Sequence, residues 1–482
     1  GDARNRPLGS ERRGAVRGMT IAGIFFVLMT AILIYFLVIN SFNAILMMCA
    51  VPELWSHWRL SDDEYFHALV GAEALPPISV VATLQRTPIQ AVAVATMLLG
   101  LDYPRFEVVL VVDGGSGDSL IDLVNEFQLY EVPPAFTINV KTRPVRTYYR
   151  SRAHPRLVCL DMPSTTLGDA LNAAMNAARY PHAVVAAPGV FFERDALLRL
   201  SRPFLLDRTV ACAGGILRLA RGVHLSEGKL VREPARGCVN GCQTIEYLRA
   251  FVFQRLGWNR IASNIVVPTN PVMLKREHIF GLGGFDPDVE MPGLDIAIRL
   301  PRYLTDNGVN ATMPVIPDPV AWYVTPGDLA SIARTRRTWA RGLFRALKRS
   351  KGMFANPEYG MFGLVALPYF WLGLLIAPIV ETVGYAGLAV GLATGVLNSS
   401  FAWAYLASVV GYGILLSIWS VLFQAISFPA ENPPGDVVRL LGYAVLESLG
   451  YRQILLLSRS AAYFFDRQPK HTNGQPSPTG AA

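Results

Sequence analysis

Charge is scarce in this sequence. Only 17% of its 482 residues are Asp, Glu, Lys or Arg, while 52% are hydrophobic. An ordinary soluble domain carries about 25% charged residues, so a merely soluble protein is excluded. Intrinsic disorder is excluded as well, because it needs few apolar residues and many charges. Cysteine is scarce too. The five thiols (Cys49, Cys159, Cys212, Cys238, Cys242) are too few and too irregular for a disulfide framework. Cys238 and Cys242 form a C-x3-C with no His or second pair nearby. They read as two small residues in a reducing compartment rather than as a zinc site. No basic stripe interleaved with aromatics is present, so the net charge of +8 does not point to nucleic acid. Basic residues instead cluster at Arg4 to Arg17 and from Arg334 to Lys351, both beside apolar segments, a pattern suited to anionic lipid headgroups. There is no internal repeat.

What is present is organised in blocks. Residues 21–50 carry no charge at all. As a helix rising about 1.5 Å per residue they reach ~45 Å, enough for one tilted span and too short for a hairpin. The run is too long for a signal-peptide core and lacks a small-residue cleavage site, so it reads as a retained transmembrane helix. Met19 could be a start, in which case the basic residues before it would not belong to the native chain. Residues 76–350 read as an α/β domain. Strand-like runs at Ile78–Thr83, Phe106–Val112, Arg156–Leu160, His182–Ala187 and Thr209–Gly214 alternate with helical stretches such as Ile89–Leu101 and Leu167–Ala178. That alternation predicts a Rossmann-like, mostly parallel sheet with crossover helices.

From Tyr359 the membrane pattern returns. Residues 361–380, 384–397 and 401–428 are apolar, with breaks expected at Glu381 and at Asn398 to Ser400. A last apolar stretch, 438–465, carries Glu447, Arg452 and Arg459, and it either spans or lies in the interface. Residues 359–465 thus form the transmembrane or interfacial block, and 467–482 read as a disordered tail. Glu447 and Arg452 are the one opposite-charge pair in these segments, too little for a transporter. The Arg/Lys run 334–351 places the α/β domain on the cytoplasmic side of a multi-pass inner-membrane protein. The basic flank before residue 21 would put the N-terminus on that side too, which a single span cannot satisfy. The second cluster is given precedence.

Chemistry is concentrated in a few places. Val108 to Val112 form a buried strand that runs into Asp113, Gly114, Gly115, Ser116, Gly117 and Asp118. Ligands of parallel sheets bind at the carboxyl ends of strands, so Asp113 sits where a ligand would. An ordinary Asx-capped turn fits the same residues. Further landmarks follow: Leu101-Asp102-Tyr103-Pro104, Asp169-Ala170-Leu171-Asn172, Gly283-Gly284-Phe285-Asp286, Pro317-Asp318-Pro319, Trp339-Ala340-Arg341-Gly342 and Gly450-Tyr451-Arg452-Gln453.

In order and spacing these segments resemble the membrane-embedded family 2 glycosyltransferases, the group of cellulose, hyaluronan and poly-N-acetylglucosamine synthases. The resemblance covers nearly the whole chain. It implies a glycosyltransferase A-type domain on transmembrane helices, with a UDP-sugar and a growing glycan as ligands. Asp113, Gly115, Ser116 and Asp118 match the family's D-D-G-S-x-D turn, whose first Asp contacts the uridine.

Five elements of that pattern are altered here. The family's Mg²⁺ or Mn²⁺ is held by a D-x-D pair, and those positions fall on Ala187 and Gly189, so no metal cofactor is expected. The E-D that supplies the general base falls on Pro292 and Gly293. Glu290 and Asp295 are the nearby carboxylates that could substitute. The Q-x-x-R-W acceptor motif reads Thr335, Thr338 and Trp339, with Arg336 and Arg337 out of register by one or two positions. One residue on a helix turns a side chain by about 100°. Trp339 and Trp322 keep faces on which a sugar could stack, and membrane anchoring explains such tryptophans equally well. Leu167 replaces the phosphate-binding Lys, and the P-x-x-N-E turn reads Ala82-Thr83-Leu84-Gln85-Arg86.

Landmarks without catalytic groups predict a pseudoglycosyltransferase, a binding or scaffold subunit of polysaccharide biosynthesis. Its partners would be the bilayer and an active synthase paralogue or export subunit. The alternative is an active inverting nucleotide-sugar transferase with a non-standard site. Losing both a metal clamp and a base removes several kcal/mol of transition-state stabilisation each, which favours the first.

Overall fold

The computed structural model describes residues 8–60, 75–84, 91–114, 117–163, 165–220, 222–226, 229–233, 237–261, 271–324, 326–428 and 434–464. Gly115, Ser116, Gln85, Arg86 and the tail 467–482 lie outside the described residues. The fold class is the expected one, an α/β domain on a base of long apolar helices.

The strands, in chain order, are β1 (Ile78–Leu84), β2 (Phe106–Asp113), β3 (Leu129–Val132), β4 (Thr147–Ser151), β5 (Leu157–Met162), β6 (His182–Ala186), β7 (Val190–Phe192), β8 (Cys212–Ala220), β9 (Gly222–Ser226), β10 (Lys229–Glu233), β11 (Val272–Lys275) and β12 (Val315–Val324). β9 and β10 form a separate hairpin, and the others make one ten-stranded sheet ordered β3-β4-β5-β2-β1-β6-β11-β8-β12-β7. At its centre β5, β2, β1 and β6 run parallel. Antiparallel β3 and β4 extend one side, while antiparallel β11 and β7 with the parallel β8–β12 pair extend the other. The sheet is therefore more mixed than the alternating pattern implied. The reason is local: β3 and β4 are half-exposed and β11 is only four residues long, so none shows a continuous apolar run.

The central strands are buried on both faces, as parallel strands must be. Val80, Ala82, Val108 and Leu110 face one helical layer, with Ala95, Leu98, Leu123 and Leu197. Val81, Val109 and Val111 face the other, with Ala170, Ala174, Ile279 and Ile296. Successive residues thus serve opposite cores, which fixes the register.

Among the described residues three helices are long and apolar enough to cross a membrane: Ala22–Trp55, Phe362–Ala393 and Ser399–Ser427. Ile24, Val27, Ile34, Val38, Val383, Val390, Trp403 and Ile426 on them are exposed, an arrangement that suits helices surrounded by lipid. The break expected at Glu381 does not occur. Its carboxylate is 4% exposed and accepts a bond from Arg452 at 3.2 Å, so the helix continues through it. The last apolar stretch divides into Pro434–Leu446 and Arg452–Phe464, kinked where Gly450 takes φ +123°. Each half has 13 residues, or about 20 Å of helix, shorter than a bilayer core. The amphipathic helix Leu329–Arg349 joins the two parts of the molecule. It buries Leu343, Ala346 and Leu347 in the same cluster as Leu46 and Met47 of the first span.

Candidate functional site

β1, β2, β5 and β6 end at one edge of the sheet, at Leu84, Asp113, Met162 and Ala186. Asp113 is 8% exposed at the tip of β2. The next residue must be glycine: Gly114 donates its N–H to the Met162 carbonyl at 2.6 Å. A Cβ there would stand 2.7 Å from that oxygen and 3.0 Å from Arg146 Nη1. Beside it, Asp161 has Arg146 at 3.9 Å, and partial burial raises its carboxyl above the usual range against the pull of that arginine. Asp169, in the first turn of the helix Leu167–Ala177, accepts from the Thr165 and Thr166 hydroxyls at 3.2 and 3.4 Å. Arg143 approaches it at 3.3 Å. Asp161, Arg143 and Arg146 escaped the sequence reading. The only signal available was a carboxylate at a strand end and a basic loop before it. Asp118 opens the helix Gly117–Phe127.

The turn after β6 holds Ala187 and Gly189, the positions at which the resemblance implies a metal site. Ala187 accepts the Val190 N–H at 3.2 Å and Gly189 takes φ +79°, closing a turn with no donor side chain. No group of three or more His, Cys, Asp or Glu side chains able to hold a metal occurs among the described residues. The residues at this turn do not fit a divalent cation.

The two substitute-base candidates are both engaged by arginines. Asp295, 1% exposed, lies in the first turn of the helix Pro292–Asp306 and bonds Arg299 at 2.9 Å, with Arg349 at 3.8 Å. Arg299 also donates to the Leu282 and Gly284 carbonyls at 2.6 and 3.3 Å, so this ion pair fastens the Gly283-Gly284 turn. Asn172 grips the same turn, accepting the Phe285 N–H and donating to the Phe285 carbonyl, both at 2.8 Å. Two of the sequence landmarks are therefore halves of one clasp. Glu290 has Arg341 at 3.5 Å and Arg345 at 3.7 Å. Arg349 also bonds Asp286. Arg341, Arg345 and Arg349 recur every four residues on one face of Leu329–Arg349, so one helix presents a ladder of guanidiniums to this loop.

Of the acceptor candidates, the structure brings Arg336 and Trp339 together and leaves two elsewhere. Both line a cavity of about 280 Å³ between the α/β domain and the spanning helices. Arg336 is 3% exposed and bonds Glu246 at 2.9 Å, with the Tyr247 ring 5.4 Å away. Arg459 bonds the same carboxylate at 3.1 Å and lies 5.7 Å from the Trp339 ring. Burial alone would raise the Glu246 carboxyl, but Arg336 and Arg459 outweigh it and hold it below the usual range. Trp322 and Arg337 are not among the cavity's lining residues. Trp322, on β12, donates its ring N–H to Glu193 at 2.6 Å. Arg337 is half-buried.

Glu447 and Arg452 do not pair with each other. Glu447 takes two bonds from Arg249, at 2.9 and 3.0 Å, and Arg452 bonds Glu381. Arg249 and Glu246 were invisible as site residues because their partners lie far along the chain.

No family model and no curated protein matches this sequence. Among solved structures, residues 1–349 of TarS from S. aureus align over 83% of this chain and 98% of that one, at 12% identity. The TM-score of 0.36 is too low for that likeness to carry any argument.

Proposed function

We propose that this protein is a membrane-bound pseudoglycosyltransferase of the family 2 type, a binding or scaffold subunit of polysaccharide biosynthesis with its α/β domain on the cytoplasmic side. The observation that carries the reading is the engagement of both candidate bases. A general base must be free to take a proton near neutral pH. Glu290 lies between Arg341 and Arg345, and Asp295 is buried against Arg299, so the side chain of each is taken up by an arginine contact. A turn of Ala187, Pro188 and Gly189 offers nothing to hold the metal that would neutralise a diphosphate leaving group. The ladder on Leu329–Arg349 also fits the positive-inside rule for a domain on the cytoplasmic face.

The test is UDP release from a panel of UDP-sugars, with Mg²⁺ or Mn²⁺, by the full chain in nanodiscs beside an active family member. No release from any donor, with an active synthase co-purifying, is the expected result. Turnover that disappears in Glu290→Gln, Asp295→Asn or Asp161→Asn would overturn the reading and identify the base.

A further inference from the structure

The helix Cys238–Tyr247 opens with both thiols of the C-x3-C sequence, four residues apart and therefore on one face. Cys238 is exposed and Cys242 is buried. The two side chains are hydrogen-bonded to one another, and burial, with Cys238 alongside, pushes the Cys242 thiol up to about 12. At i and i+4 of a helix the Cβ atoms stand about 5–6 Å apart, and a disulfide needs about 3.5–4.5 Å, so bond closure draws the first turn in by about 1–2 Å. That turn can give. The leading N–H groups of a helix have no partner within it, and Gly237, at φ +94°, precedes this one as its N-cap.

The packing around the turn has less freedom. Gly241, between the two cysteines, lies against the ring of Tyr443, which a Cβ there would overlap. Cys242 shares a buried cluster with Ile332, Tyr451 and Leu455. Both halves of the kinked segment therefore grip this turn, Pro434–Leu446 through Tyr443 and Arg452–Phe464 through Leu455. Tyr451 and Leu455 also line the cavity, and Tyr451 donates its hydroxyl to Glu246 at 3.4 Å, one turn beyond Cys242. Close-packed interiors transmit a displacement of this size rather than absorb it.

We infer that Cys238 and Cys242 form a redox-sensitive dithiol, oxidised to an intrahelical disulfide by a low-molecular-weight disulfide, and that closing it repacks the wall of the cavity. The Cys238 thiolate attacks one sulfur of the reagent, forms a mixed disulfide and expels the first small thiol. Cys242 then attacks the Cys238 sulfur and expels the second. Each cysteine's proton ends on a departing thiolate, so the protein loses two electrons and the reagent gains them. The high Cys242 value makes the second step the slower one, because the thiolate is the nucleophile. In a reducing compartment the resting form is the dithiol, and the disulfide is a transient, sensing state. This device stands apart from the edge of the sheet where the central strands end, so it holds whether or not the α/β domain turns over a sugar nucleotide.

The experiment equilibrates the full chain in nanodiscs with glutathione and its disulfide at stepped ratios, blocks free thiols with N-ethylmaleimide and maps the cysteine-bearing peptides by mass. The peptide holding Cys238 and Cys242 should first gain one glutathione, then exchange it for an internal disulfide. Tryptophan emission, to which Trp258 and Trp339 in the cavity wall contribute, should change its quenching by acrylamide about twofold as the disulfide forms, and dithiothreitol should restore it. Cys242→Ser should stop at the glutathione adduct on Cys238, and Cys238→Ser should take no adduct at this helix. Tyr443→Ala should still form the disulfide but lose at least half of the emission change. Cys49→Ser, on the first span, should behave as the parent. Absence of an internal disulfide at every ratio, an adduct on Cys238 that never resolves, or a disulfide that leaves the emission unchanged would overturn the inference. All three are read on the parent chain, so variants that fail to fold do not shield it.

Discussion

The edge of the sheet where the central strands end and the cavity in the membrane base both carry carboxylates and arginines, but they partner them differently. At the edge, Arg143 and Arg146 have side chains 52% and 55% exposed, and they meet Asp169 and Asp161 at 3.3 and 3.9 Å. Contacts of that kind are screened by water and worth little. In the base, Glu381 and Glu447 have side chains 5% and 2% exposed, and their arginines are mostly buried. Desolvated ion pairs there hold helices that are distant in sequence, whereas the arginines at the sheet edge stay half-exposed. The difference places the more buried ion pairs of this chain in its membrane base rather than at the sheet edge.

Breaking a pair in the base should have the largest effect. Glu447→Ala leaves Arg249 without a carboxylate in a buried site, a loss of about 3–5 kcal/mol. Thermal unfolding in detergent should show it, and an unchanged midpoint would erase the contrast between the two regions. Asp295→Asn comes next, at about 2–3 kcal/mol, because its partner Arg299 is 27% exposed and can recover some water. A substitute base would instead leave the midpoint unchanged and abolish turnover.

Acid should separate the two regions as well. Burial, with Lys275 nearby, pushes the His182 imidazole down to about 4, so the folded domain holds it neutral where the unfolded chain takes a proton near ~6.5. Folding stability therefore falls as pH drops from about 6.5 towards 4, and His182→Gln should remove that slope. The depressed Glu246 carboxyl works lower. Its contribution is present above the unfolded value of about 4.3 and is lost only below it. Hydrogen exchange against pH should then show the sheet loosening before the base. The reverse order would contradict this account.

The smallest effect is expected at the edge itself. The Asp161 carboxyl is raised by burial, so its contribution is present below about pH 4 and declines as pH rises. Asp161→Asn should leave the midpoint at pH 7 within about 0.5 kcal/mol of the parent, shifted if anything upward. A large loss would mean that the edge is as tightly knit as the base.

Much of the scaffold was legible without coordinates. β1, β2, β5 and β6 announce themselves as continuous apolar runs because each is buried on both faces. β12 was hidden by Pro317 and Pro319, and the structure places it beside β7 and β8 with register shifts at Pro319. Glu381 looked like a helix break because a lone carboxylate in an apolar run is costly, and Arg452, 71 residues away, removes the cost. The lack of donor side chains at Ala187 and Gly189 could be read directly, since it follows from residue identity in any fold. The engagement of Glu290 and Asp295 could not, because it depends on a ladder of arginines presented by a separate helix.

The sequence by itself determined the uncharged first span, the strand cores and the absence of donor side chains at Ala187, Pro188 and Gly189. Each follows from residue identity or from a short-range period of apolar side chains. Only the tertiary structure decided which charge meets which. Arg249 and Glu447 are 198 residues apart, and Arg459 and Glu246 are 213 apart. Hydropathy and periodicity act over a few turns of chain, whereas an ion pair is chosen by where whole helices come to rest.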